Sequence, residues 1–245
     1  MTTNRAPKAA MLVAQRILRD AMRDGLAPGD LLPPERVMLE KYETGRGTLR
    51  EALRLLEFQG VITLKPGPGG GPVLTCPTAS NLANTLILFM QLNKAQYRTV
   101  VEVRNAVEPM IGRLAAEHIS DEQLGALADT IEVMRYSLDD PVSFLEENKK
   151  FHDIIAWSSG NVLFACLVES LLGILDGTTI GIDYPVHRRQ AILKAHEKIY
   201  QALVARDPVE SEERMRDHVL AYTRYARKKF PHVLDQPITW NHLLT

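Results

Sequence analysis

Two short β-prone runs, VITL at 61–64 and PVLT at 72–75, are joined by KPGPGGG, and no convincing strand pattern returns after Pro77. Short β-prone segments punctuated by glycine and proline read as a hairpin with a flexible tip. Every strong segment beyond it carries apolar residues at helical spacing. A chain divided in this way folds as a small hairpin-bearing module followed by an all-helical body. Its 245 residues also exceed the ~100–200 typical of one domain, so two domains are expected.

The front module has its own order. Residues 8–24 place Met11, Leu12, Ala14, Ile17, Leu18, Ala21 and Met22 at helical spacing, and Gly25 supplies a stop. Leu31-Leu32 suits a short strand. Pro33-Pro34-Glu35 opens a short helix to about residue 42, which buries Val37 with Leu39 or Met38. A second helix over 46–58 turns Leu49, Ala52, Leu53 and Leu56 inward. Arg46, Arg50 and Arg54 then form one ridge at i, i+4 and i+8. Taken alone, that ridge also reads as a solvated helix face. After a turn and a short helix, and before a hairpin, it occupies the place where a recognition helix reaches base edges and phosphates. The glycine-rich tip lacks the GxxxxGK[ST] spacing of a phosphate loop, and no helix follows it directly. Residues 1–76 carry a net charge of +3 and the remainder −4, which assigns any nucleic-acid contact to the front.

The expected architecture is therefore mainly α: an N-terminal winged helix–turn–helix and a C-terminal all-α bundle of about seven helices. The expected boundaries are 1–76 for the DNA-binding domain, 77–80 for a linker, 81–230 for the helical domain and 231–245 for a tail. Candidate helices cover 80–93, 96–118, 121–136, 141–158, 161–176, 186–205 and 208–229. Ser120 or Asp121, Asn161 and Asp207-Pro208 stand at their starts. For the tail, packing on the bundle, packing on a partner subunit and disorder are all open. The longest apolar run, Leu86 to Leu92, falls far short of the ~20 residues that span a bilayer, and the N-terminus shows no signal-peptide core. Cys76 and Cys166 are far apart and show no CxxC spacing, so a reducing cytoplasmic setting fits.

Three of the seven histidines, His152, His196 and His218, fall mid-helix on three different helices, and Asn148 lies one turn before His152. Neutral imidazoles suit Zn2+ best, with Ni2+ the second choice, and facing helices of a bundle commonly supply such ligands. Spacing leaves three readings open: core histidines, the polar lining of a metal-free pocket, or metal ligands. A three-histidine metal-dependent hydrolase is the alternative from another functional class. No HExxH or Ser/His arrangement supports it.

The stretch GLAPGDLLPPERVMLEKYETGRGTLREALRLLEFQGVITLKPGPGG resembles the DNA-binding domain of the GntR family of bacterial transcription regulators. The resemblance rests on the PGD turn, the LPPER entry, the RxTLREAL helix and the GVI exit. It implies DNA contact by Arg36, Arg46, Thr48 and Arg50, with Gly67 at the tip of a wing in the minor groove. Gly45 and Gly47 stand where hydroxyl residues are commoner, so Gly47 would act through its backbone amide.

ENKKFHDII, AHEKIYQAL and MRDHVLAY resemble the signature helices of the FCD effector-binding domain found in the FadR-type branch of that family. This implies a divalent metal held by Asn148, His152, His196 and His218, with Asn148 where aspartate is usual. It also implies a small carboxylate effector, which Arg104 contacts unless that arginine instead pairs with Glu108. The implied protein is no enzyme. It is a homodimeric, ligand-responsive regulator, a repressor by expectation, on a pseudo-palindromic double-stranded operator. With asparagine in place of aspartate the site keeps the full +2 of its metal and draws an anion more strongly.

Overall fold

The computed structural model describes residues 5–67, 69–175 and 181–240, and the chain divides into two compact units, 1–81 and 82–245. The first contains α1 (Arg5–Arg23), α2 (Glu35–Lys41), α3 (Arg46–Phe58), β1 (Ile62–Lys65) and β2 (Gly71–Leu74). Val13, Ala14, Ile17 and Ala21 of α1 pack with Met38, Leu49, Ala52, Leu53 and Leu56. The inner stripe of α3 is the expected one. On α1, Met11, Leu12 and Met22 are exposed, while small Ala10, Ala14 and Ala21 are buried. Alanines on the inner face let α1 lie close along α3, with Val13 and Ile17 filling the core between them. In α2 the core residue is Met38, with Leu39 half-buried and Val37 exposed.

β1 and β2 pair antiparallel from Ile62–Leu74 to Lys65–Gly71. Leu31 adds a bridge to Val73, so the short strand read from Leu31-Leu32 survives as a single residue. The turn needs its glycines. A Cβ on Gly70 would stand 2.3 Å from the Lys65 carbonyl oxygen, and Gly67 has a φ of 93°.

The helices of the second unit, with α4 leading into it, are α4 (Ala79–Leu92), α5 (Tyr97–His118), α6 (Asp121–Tyr136), α7 (Pro141–Ser158), α8 (Val162–Ile174), α9 (Val186–Val204) and α10 (Pro208–Lys229). Single-turn α11 (Pro231–Leu234) follows. The seven long helices match the sequence expectation, and their starts show why. Ser120 makes a capping box with Gln123, while Asn161 and Asp207 each accept two backbone N–H bonds at the head of α8 and α10. Among the described residues no helix is long and apolar enough to cross a membrane.

Two packing features place the site. α5 and α10 approach closely at Gly112, where a Cβ would meet Met215 Cβ and the Ser211 carbonyl oxygen at 3.1 Å. One turn before Gly112 on α5 is Glu108, and one turn beyond Met215 on α10 is His218. The segment after α10 then docks on the α4–α5 connection. Ile238 donates its N–H to Ala95 O at 3.0 Å, and Val233, Leu234 and Ile238 are buried. Residues up to Trp240 thus pack on the bundle, and 241–245 lie outside the described residues.

Candidate metal centre and DNA-binding face

Three helices bring one histidine each to a buried point: His152 from α7, His196 from α9 and His218 from α10. These residues are 3, 0 and 8% exposed. His152 Nε2 lies 3.1 Å from His218 Nε2, and His196 Nε2 lies 3.3 Å from the same atom. Zn–N bonds of about 2.05 Å in a tetrahedron separate neighbouring donors by roughly 3.3 Å. The spacing therefore matches that of ligands around one ion.

The rings are held from behind. His152 Nδ1 lies 2.7 Å from Glu108 Oε2, at ion-pair distance though bent from a straight hydrogen bond. The His196 ring stacks on Phe151 with centroids 3.9 Å apart. With a proton on the Nδ1 that faces Glu108, the His152 Nε2 lone pair points at the other two rings. With all three Nε2 atoms unprotonated their lone pairs repel unless a cation lies between them, whereas an Nε2–H tautomer would turn one of these contacts into a hydrogen bond. A proton suits that place poorly, because burial, with the neighbouring histidines adding to it, holds His196 and His218 well below the usual histidine range. A divalent ion suits it well.

Glu108 is itself fixed. Its other oxygen accepts a hydrogen bond from Arg104 Nε one turn earlier on α5. Burial would raise the Glu108 pKa, but Arg104 and His152 outweigh it and hold the carboxyl well below its ordinary range. Arg104 thus makes the Glu108 pair that its spacing allowed. It also lines a cavity of about 290 Å3 together with Asn148, His152 and His218. Asn148 is half-buried there, one turn before His152.

Two residues of this neighbourhood went unread in the sequence. Glu108 figured only as a helical partner of Arg104, and nothing local showed that α7 would bring His152 to it. Arg188 lines the same cavity with Tyr184 and Tyr222. Its signal was its position two turns before His196, on the same face of α9.

The depressed histidines carry a pH consequence. In the unfolded chain both titrate near 6.5, whereas in the fold they stay neutral to lower pH, so below about 6.5 the unfolded state binds more protons. Metal-stripped protein should lose stability as pH falls from 7.5 to 5.5. Each histidine contributes up to about 1.4 kcal/mol per pH unit in that window. Urea-unfolding midpoints measured in EDTA check this, and a flat profile would contradict the burial of neutral imidazoles.

In the first unit, Arg46, Gly47 and Arg50 are exposed on the outer face of α3, and Thr48 is half-buried in its first turn. Gly45 caps that helix without a side-chain bond. Arg36 is exposed on α2 and pairs with Glu40 at 3.0 Å, and Arg50 lies 3.7 Å from Glu35. Arg50 and Arg54 share an open groove with Gly69, Gly70 and Gly71 of the hairpin. Gly67 sits at the hairpin tip, where an added Cβ would meet nothing within 4 Å. Helix face, groove and hairpin tip together have the form of a winged DNA-reading head.

Residues 10–70 match the family described as bacterial regulatory proteins, gntR family, and residues 99–221 match the FCD domain. The chain belongs to the GntR family of transcription regulators. The regulator is 31% identical over 235 residues to the uncharacterized HTH-type transcriptional regulator YcbG of Bacillus subtilis, covering 96% of this chain and 95% of that one. It is 26% identical to the HTH-type transcriptional repressor NanR of Salmonella newport, over 86% of this chain and 83% of that one. A solved Streptococcus agalactiae GntR structure shares the fold with a TM-score of 0.69. Identity is 24%, over 89% of this chain and all of the other. The regulator is thus a DNA-binding transcription factor with an FCD effector domain and not an enzyme, and the hydrolase alternative is set aside. Its three-histidine cluster could hold a metal ion.

Proposed function

We propose that the regulator is a homodimeric repressor whose FCD domain binds one divalent cation and senses a small carboxylate. His152, His196 and His218 would hold the ion, with Asn148 as a fourth, neutral donor. Zn2+ suits the donor set best, with Ni2+ second. The observation that carries this reading is the convergence of three buried imidazole nitrogens at 3.1 and 3.3 Å, with His152 braced by Glu108. The Glu108 charge is offset by Arg104, so the donors leave the +2 of the ion uncompensated. An anionic ligand entering beside Asn148 would restore balance and complete the coordination sphere.

At the other end, Arg36, Arg46, Thr48 and Arg50, the Gly47 amide and the Gly67 wing tip would contact DNA. Two heads related by a two-fold axis would read the halves of a pseudo-palindromic operator in the bacterial cytoplasm. The domain limits 1–76, 77–80, 81–230 and 231–245 describe this division of labour. The repressor sign follows the relative named NanR. An effector changes DNA affinity only through different affinities for two arrangements of the dimer. The second reading keeps the DNA head and makes the histidines the polar lining of a metal-free pocket. It requires an Nε2–H tautomer to hydrogen-bond across the cluster where the first reading has the ion.

The test is an anisotropy titration of DNA fragments from the regions flanking the gene, with zinc-loaded and EDTA-stripped protein and a panel of small carboxylates. The reading expects a carboxylate to lower DNA affinity at least ~10-fold, a coupling of about 1.4 kcal/mol, with zinc present and not without it. Asn148→Asp should hold zinc more tightly and respond less to the carboxylate. Equal responses with and without metal would favour the metal-free pocket. An Asn148→Asp variant unchanged in both properties would refute the charge argument.

A further inference from the structure

The cavity beside the histidines has a second cationic wall that the metal does not use. Arg188, on the first turn of α9, is partly buried there, and no carboxylate pairs with it among the described residues. Its Nε is buried and has no hydrogen-bond partner. Arg104, the cavity's other arginine, differs on both counts. Its Nε is taken by Glu108, and Tyr222 lies over its guanidinium with the ring centroid 5.7 Å away.

Arg188 is also oriented. Its guanidinium lies over the Tyr225 ring, 4.7 Å from the centroid, and the Tyr225 hydroxyl is anchored by donating to Asp183 O at 2.8 Å. Stacking uses the face of a guanidinium and leaves its in-plane N–H edge available, the edge that matches a planar carboxylate. Burial weakens the hold of Arg188 on its own charge, as expected of a cation with no carboxylate beside it among the described residues. Beside it are the hydroxyls of Tyr184 and Tyr222, which burial keeps protonated; Tyr184 is directed at Tyr222, which leaves the Tyr222 hydroxyl to donate to an oxygen. The arrangement is a preformed anion cradle facing the same space as His152, His218 and Asn148.

We propose that Arg188, assisted by Tyr184 and Tyr222, is a second anchor, so that the effector carries two acidic groups, one for the metal and one for this guanidinium. The proposal rests on the metal–carboxylate reading above and narrows it to a small diacid. A monoacid would satisfy the ion and leave the partly buried Arg188 guanidinium with no carboxylate among the described residues. That penalty turns a cradle into a selectivity device.

The test is calorimetric titration of the zinc-loaded full-length protein with propionate, butyrate and valerate, and with malonate, succinate and glutarate. At least one diacid should bind ten times or more tighter than the monoacid of the same carbon number. In Arg188→Gln that advantage should disappear, with monoacid affinity, zinc content and circular dichroism unchanged. Arg188→Lys, which keeps the charge but not the fork, should retain part of it. Diacids no tighter than monoacids would overturn the second anchor and leave the metal–carboxylate reading standing. A diacid advantage that persists in zinc-replete Arg188→Gln would likewise overturn it. If no acid bound the zinc form, both readings would fall.

Discussion

His218→Ala is expected to cost the protein its metal. A structural zinc site is worth about 10–16 kcal/mol in total, so losing one of its ligands removes roughly 3 kcal/mol, or about 100-fold in affinity. His218 is the most consequential of the three, because its Nε2 is the atom that both other imidazoles face, at 3.1 and 3.3 Å. Competition with a zinc chelator would read the change directly. The variant should also lose the thermal stabilisation that added zinc confers on the parent, since an ion that binds only the folded state stabilises by mass action. It should still bind DNA when metal-free, because residues 10–70 carry the head. An unchanged zinc affinity would remove His218 from the site.

Arg50→Ala is expected to act at the other end of the molecule. A side chain that reaches a base edge from a recognition helix contributes about 1–3 kcal/mol, and a two-fold dimer loses it twice. Operator affinity should therefore fall at least ~30-fold in an anisotropy titration, with zinc content untouched. The Glu35 carboxylate, 3.7 Å from Arg50, is an exposed partner that DNA phosphates and bases can displace at little cost. An affinity equal to that of the parent would show that Arg50 lies on a merely solvated face of α3.

The elements that could be read in advance were those with local causes. Capping by Ser120, Asn161 and Asp207 marks helix starts within the residues themselves, and the 3.6 period marks the bodies. The three histidines stood out because each interrupts a helical pattern that is otherwise ordinary. What stayed hidden was long-range. Whether Glu108 braces His152 depends on how α5 lies against α7, and no spacing within either helix encodes that. The buried face of α1 stayed open for a related reason. Seven apolar positions there cover more than one side, and the close approach to α3 selected the alanines. Arg188 carried a signal of phase with His196, but that no carboxylate pairs with it among the described residues becomes visible only once α10 and its tyrosines are in place.

The central claim is that three histidines from three helices hold a metal ion at the heart of the effector domain. Metal analysis of the full-length protein, purified without added metal or chelator and then reconstituted with zinc and desalted, tests it most directly. The account predicts about one zinc retained per chain, the stoichiometry of a single site in each effector domain. Folded protein that retains none after reconstitution would contradict it.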